Sequence, residues 1–208
     1  IEAFNIQVIA CDGWEADDVI GTLSRRAEKE GFESYLVTPD KDFGQLVSDK
    51  TFIYKPSRLG DAVEILGLPE VLKKWGIAQP GQVADVLGLM GDASDNIPGV
   101  PGIGEKTASK LIAEHGSVEN VLANTEKIKG KLRENLETHR EQALLSKRLA
   151  TILCDAPCPM PLEEFRIREP NRDELKRLLI EFEFNSIGRR LFGEEFKAGH
   201  GYDVGGAA

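Results

Sequence analysis

The spacing of apolar residues changes period several times in the first fifty-five residues. QVIA, residues 7–10, is a short apolar run suited to a buried strand. Gly13 ends it, and Ala16, Val19, Ile20, Leu23 and Ala27 then recur on one face of a helix that closes at Gly31. SYLVT predicts a second strand ending at Thr38 and Pro39. A short helix follows from about Asp42 to Val47, and TFIYK predicts a third strand. Alternation of this kind favours a parallel or mixed sheet with helices on its faces.

After Lys55 the pattern becomes helical. Segments 69–76, 80–90, 105–114, 117–123, 130–137 and 140–152 carry helix periodicity, with glycine or proline between most of them. Leu144, Leu145, Leu149, Ile152 and Leu153 form the cleanest stripe. Residues 156–170 read as a proline-bearing connector with one extended piece at EEFRI. Asn171 or Asp173 caps a helix carrying Leu175, Leu178, Leu179 and Phe182, and a last short helix spans about Ile187 to Leu191. The glycine-rich tail is expected to be disordered. The predicted organisation is an α/β part over 1–60, a mainly helical part over 61–192, and a tail over 193–208. Three strands in under 60 residues make a poor core. Either another chain completes the sheet, or the sequence is a piece of a longer domain with further strands upstream; the second is preferred.

Composition narrows the class only slightly. The chain is 41% apolar and 29% charged, with no apolar run near the ~20 residues of a membrane span, and a secretory leader is not expected. Cys11, Cys154 and Cys158 are an odd, widely spaced set without a nearby histidine, which argues against a disulfide framework or a zinc site. A net charge of −9, from 35 acidic and 26 basic residues, speaks against a nucleic-acid partner only if the carboxylates are spread evenly. They are not.

Glu15, Asp17 and Asp18 follow the first strand, Asp40 and Asp42 follow the second, and Asp92 and Asp95 lie three apart, on one face if helical. In open α/β sheets, sites form at the carboxyl ends of strands. Each cluster alone reads as capping or turn chemistry. Converged, they would repel one another unless a cation held them, and ligation by oxygen alone selects Mg²⁺ or Mn²⁺. Two such ions about 4 Å apart are a device for phosphodiester hydrolysis. GVPGIG, residues 99–104, then precedes a helix bearing Lys106 and Lys110, with Ala108, Leu111 and Ile112 as its buried face. Gly102 and Gly104 permit tight backbone, and bare N–H groups at a helix start suit phosphates. A nucleoside-triphosphate loop does not fit, because Gly104 is followed by Glu105.

GWEADDVIG, TPDKDFGQLVSD, GLMGDASDNIPGVPGIGEKTASKL, LLSKRLATI and FEFNSIGRRL together resemble the 5′-nuclease domain of bacterial DNA polymerase I, within the flap endonuclease superfamily. The resemblance implies an α/β nuclease core with an incomplete parallel or mixed sheet. It also implies a helical subdomain with a helix–hairpin–helix motif at about 91–116. It implies that Glu15, Asp17, Asp18, Asp40, Asp42, Asp92 and Asp95 line a site for two Mg²⁺ or Mn²⁺ ions. Gly99, Gly102, Gly104, Lys106 and Lys110 would grip duplex DNA, with a monovalent cation held by hairpin carbonyls. The partners it implies are duplex or flapped DNA and the remaining polymerase domains, in the cytoplasm of a bacterium at the nucleoid. Trp14 stands where the family commonly has tyrosine, a packing change. The family's first aspartate-bearing strands and basic threading region are not found in the sequence, so cleavage by this chain is expected to be absent or very weak. The competing expectations are a DNA-binding module without catalysis, and a domain that engages protein partners.

Overall fold

Which face of the small sheet is buried follows from strand alternation. In the computed structural model, which describes residues 1–56, 63–158 and 160–199, β1 (Ser34–Val37), β2 (Thr51–Pro56) and β3 (Val63–Leu66) form one sheet in that order. β1 and β2 run parallel, and β2 and β3 antiparallel, so the sheet is mixed. Leu36, Ile53 and Leu66 lie in register across all three strands and all are buried. On the other face Tyr35 stacks on Phe52, with ring centroids 5.3 Å apart. β3 lies beyond the strands expected from sequence; only Leu66 of its four residues is buried, which is too weak an alternation to read. The expected boundary at residues 60 and 61 lies outside the described residues.

Two compact units divide the chain: Cys11–Cys158, and Ile1–Ala10 together with Pro159–Ala208. The first holds the sheet, α1 (Ala16–Lys29), a 3₁₀ turn at Asp42–Leu46, α2 (Leu68–Trp75), α3 (Gln82–Met90), α4 (Glu105–His115), α5 (Val118–Ala123), α6 (Gly130–Thr138) and α7 (Arg140–Ala150). α3, with sequence QVADVLGLM, is apolar nearly all round and is accordingly enclosed, with Val83, Val86, Leu87 and Leu89 fully buried. α7 crosses it at very close range. A Cβ placed on Gly88 would stand 2.7 Å from Lys147 Cβ.

That approach leaves only Leu144 and Ile152 of the leucine stripe packed against the core. α7 buries Ala143, Ser146 and Ala150, while Leu145, Leu149 and Leu153 are 42%, 58% and 49% exposed. Small side chains let the two helix backbones meet; leucines would hold them apart. α1 behaves alike, burying Val19, Gly21, Thr22 and Ser24 and leaving Ile20 exposed. A Cβ on Gly21 would come 2.9 Å from Ile152 Cγ2, and Thr22 Oγ1 accepts from Ala156 N at 2.9 Å. Asp85, inside α3, is buried but satisfied. It accepts from Val118 N at 2.9 Å and pairs with Lys147 Nζ at 2.6 Å, which also reaches Glu119 at 2.8 Å.

The second unit contains α8 (Arg172–Glu181) and α9 (Asn185–Phe192), with Ala3, Leu175, Leu179, Phe196 and Ala198 as its core. Asn171 Oδ1 caps α8 by accepting from Glu174 N at 3.2 Å. Three expectations differ here. QVIA is not a strand: Val8 is 57% exposed, because no strand among the described residues offers it hydrogen-bond partners. EEFRI is not extended; Leu162–Phe165 is a short 3₁₀ turn. The tail folds back at least to residue 199, since Phe196 seats on Gly188 and stacks on Phe192 at 5.8 Å. Residues 200–208 lie outside the described residues. Among the described residues no helix is long and apolar enough to cross a membrane.

At the end of α3 the chain turns back on itself. Gly91 and Gly99 both have positive φ, at 76° and 61°. Asp92 and Ile97 exchange two backbone hydrogen bonds of 2.8 Å, and a Cβ on Gly99 would lie 2.2 Å from Gly91 N. Gly99→Ala should therefore cost more than about 2 kcal/mol in urea denaturation. Gly81→Ala, at negative φ with open space around it, should stay within about 0.5 kcal/mol of the parent.

Candidate metal centre

Each acidic cluster is delivered by a different local device. Glu15 sits at the N-cap position of α1, placing Asp17 and Asp18 in its first turn, where the helix dipole favours carboxylates. Asp18 Oδ1 accepts from Leu153 N at 2.8 Å, which ties α1 to the chain leaving α7. After β1, Asp40 N donates to Thr38 Oγ1 at 3.0 Å, and Asp40 Oδ1 accepts from Asp42 N at 2.9 Å. This pair of turns ends the strand and starts the 3₁₀ segment with Asp42 pointing inward. Asp92 and Asp95 belong to the tight loop closed by the Asp92–Ile97 bridge. They are not on a helix face as their spacing implied; Asn96, at φ 57°, turns the chain between Asp95 and Ile97.

One cleft gathers these residues. Glu15, Asp17, Asp18, Asp40, Asp42 and Asp95 line it, with Ile97 and the 149–152 segment at the end of α7. Ligand oxygens of Asp42, Asp92 and Asp95 all lie within 4.8 Å of one another. Asp42 is 7% exposed and Asp92 6%. Asp92 is well supplied: Lys41 Nζ pairs with Oδ2, and Oδ1 accepts from Ser94 N at 3.0 Å and from the Ser94 hydroxyl. Asp42 is not, since its buried Oδ1 has no hydrogen-bond partner.

The electrostatics follow from that difference. Burial, then Asp40, Asp92 and Asp95, push the Asp42 carboxyl up to about 7 against a pull from Lys41. Asp17 is also raised, by burial first and then by Asp40, Glu15, Asp18 and Asp95. Burial would raise Asp92 too, but the hydrogen bonds from Lys41 and Ser94 outweigh it and its pKa is lowered. A buried carboxylate oxygen without a donor, beside two more carboxylates and no nitrogen or sulfur ligand, fits a hard divalent cation. A clustered acidic site suited to such an ion is present.

The segment after this loop, Gly99 to Gly104, is held mostly by α6 and α7. Gly99 N donates to Ser146 Oγ at 3.0 Å, Gly99 O accepts from Gln142 Nε2 at 2.5 Å, and Pro101 O accepts from Asn135 Nδ2 at 2.7 Å. Gly102 is exposed at φ 79°. Gly104 is the N-cap of α4 and makes no side-chain cap, while Lys106 and Lys110 are exposed on that helix, Lys110 lying 3.9 Å from Glu114. Ala108, Leu111 and Ile112 are its buried face. Lys41, Ser94 and the 149–152 segment were not read from sequence. Lys41 stands between two of the aspartates and was visible there, whereas nothing local ties residue 153 to Asp18.

Two family descriptions match consecutive parts of the chain: "5'-3' exonuclease, N-terminal resolvase-like domain" over residues 1–76 and "5'-3' exonuclease, C-terminal SAM fold" over 78–173. The chain belongs to the 5′-3′ exonuclease family. DNA polymerase I of Caldicellulosiruptor bescii is 45% identical over 192 residues, 91% of this chain and 22% of that protein. The Bacillus caldotenax DNA polymerase I is 46% identical over 92% of the chain and 22% of its own length. The chain thus spans about a fifth of the length of these relatives. Among solved structures, bacteriophage T5 5′-exonuclease with bound divalent zinc ions superposes with a TM-score of 0.59 at 25% identity, over 66% of this chain and 50% of that one. The catalytic core of Rad2 in complex with DNA substrate shares the fold, with a TM-score of 0.56 at 20% identity, over 86% of this chain and 59% of that one.

The Asp42 geometry predicts a pH dependence for this exonuclease-family chain in EDTA. Between about 4 and about 7 the folded chain keeps a proton on Asp42 that the unfolded chain releases. The contribution of this group to stability therefore falls as pH rises through that window and is level above it. Asp17 acts in the same direction, while Asp92 loses its stabilisation only below its ordinary range. Thermal denaturation should show Tm declining across the window, and Asp42→Asn should flatten the decline. Parallel profiles for the two proteins would contradict the assignment.

Proposed function

We propose that this chain is the metal-binding, DNA-engaging part of a nuclease that hydrolyses DNA phosphodiesters at 5′ ends or 5′ flaps, as part of a DNA polymerase I. The observation that carries it is the Asp42–Asp92–Asp95 triad with the unpartnered Asp42 oxygen. These three would hold one ion, and Glu15, Asp17, Asp18 and Asp40 across the cleft would serve a second. A bound Mg²⁺ or Mn²⁺ supplies an activated water and charge stabilisation at the reacting phosphate. A phosphodiester, itself anionic, approaches carboxylates gathered this closely only once a cation offsets them. Burial of Asp42 and Asp92 fixes their oxygens before substrate arrives.

DNA binding belongs to the same proposal. α3, the segment from Gly91 to Gly104, and α4 would form a helix–hairpin–helix grip, with the N–H groups at the start of α4 and Lys106 and Lys110 on backbone phosphates. This suits duplex DNA without base preference. A monovalent cation at the hairpin would share carbonyls that already accept, since Gly99 O, Val100 O and Pro101 O are all hydrogen-bonded. Likeness to bacterial DNA polymerases I supports a place in the bacterial cytoplasm at the nucleoid.

Single-turnover cleavage of a 5′-flap substrate in Mg²⁺ or Mn²⁺ tests the catalytic part, in this chain and in a polypeptide extended toward the length of its relatives. The extended protein should cleave, and Asp42→Asn or Asp95→Asn should slow it on the order of 10²-fold or more. Retention of DNA without metal-dependent product in both would leave a binding module only. Lys106→Ala should weaken duplex binding about equally across sequences and lower the salt slope by about one phosphate contact. An unchanged salt titration would leave the hairpin as packing.

A further inference from the structure

The acidic centre already contains a cation of its own. Lys41 lies between Asp40 and Asp42, just ahead of the 3₁₀ segment, and its Nζ pairs with Asp92 Oδ2. The Asp92 side chain is 4% exposed and that of Lys41 34%. The ammonium thus reaches inward on a stem that keeps a path to solvent. Asp92 Oδ1 is occupied from the other side by Ser94, whereas Asp42 Oδ1 receives nothing. Charge compensation in the centre is therefore one-sided: Asp92 has it and Asp42 lacks it.

Three carboxylate oxygens within 4.8 Å repel one another whether or not an ion has arrived. An ammonium and a hard divalent ion seek the same oxygens and repel each other. Given the metal-centred function proposed above, on which this depends, we infer that Lys41 is a tethered counter-cation. It steadies the centre without metal and competes with the incoming ion for Asp92, and so sets how tightly the ion is held. Lysine suits the task because its compact charge rides on a flexible four-carbon stem and can withdraw. A purely structural ion pair would behave oppositely. Removing Lys41 would then leave the loop misplaced, and metal binding would weaken.

The sign of the change decides between these. Mn²⁺ binding to the 208-residue chain, read from the free Mn²⁺ paramagnetic resonance signal, is compared for the wild type, Lys41→Met, Lys41→Gln and Lys41→Arg. Both neutral variants should bind the tightest ion roughly three- to tenfold more strongly, and Lys41→Arg should stay within about twofold of wild type. In EDTA the Tm of Lys41→Met should fall below wild type, and saturating Mn²⁺ should close the gap as the ion replaces the lost ammonium. If Lys41→Met does not fold, Lys41→Gln carries the comparison. Saturable binding in the wild type with unchanged or weaker binding in the neutral variants overturns the role of Lys41 alone. No saturable binding in the wild type overturns the metal-centred function and this role with it.

Discussion

Like charges forced together at the carboxyl end of β1 are the constraint around which the larger unit is arranged. Three carboxylate oxygens share a space 4.8 Å across, and two of the residues are almost fully buried. Buried charge persists only when paired, hydrogen-bonded or metal-bound. Asp92 is settled by Lys41 and Ser94; Asp42 instead moves toward its protonated form. The centre is therefore held assembled in two different ways, and a divalent cation would complete what the protein leaves unpaired.

Holding such a site requires rigid surroundings, and α3 provides them. Its apolar surface is enclosed by the packing of α4 and α7, and its last turn hands directly to Gly91 and the Asp92 loop. Gly88 lets α7 approach closely enough for Ser146 and Gln142 to grip the Gly99 backbone. The Asp92–Ile97 loop and the Gly99–Gly104 segment thus hang from one helix pair. A displacement of α7 would disturb both, which gives the small-residue contact between α3 and α7 functional weight.

The Asp85–Lys147–Glu119 group, with Asp85 buried, supports the same helix pair beside Ser146. Asp85 also accepts from Val118 N, so the start of α5 is tied to α3 through a single carboxylate. Removing Lys147 would leave the buried Asp85 carboxylate without its ion-pair partner, a larger cost than the pair contributes while intact.

Local chemistry was enough for much of this in advance. The period of apolar positions located α2, α3, α4 and α8 closely, and Asn171 was readable as a cap because its side chain needs only the next turn. The aspartates were legible as candidates because each stands where a strand or helix begins or ends. Their distances were not, because Asp18 meets Leu153 and Lys41 meets Asp92 across long stretches of chain. The same limit misjudged the leucines of α7 and the QVIA run. Hydrophobicity marks what can be buried, but the partner decides what is: a helix meeting Gly88 buries alanine and serine, and an apolar tetrapeptide without a neighbouring strand remains coil. Element type is set by short-range sterics and hydrogen bonding that the sequence carries locally. Burial and site geometry arise from contacts between distant segments, and only the tertiary structure decided those.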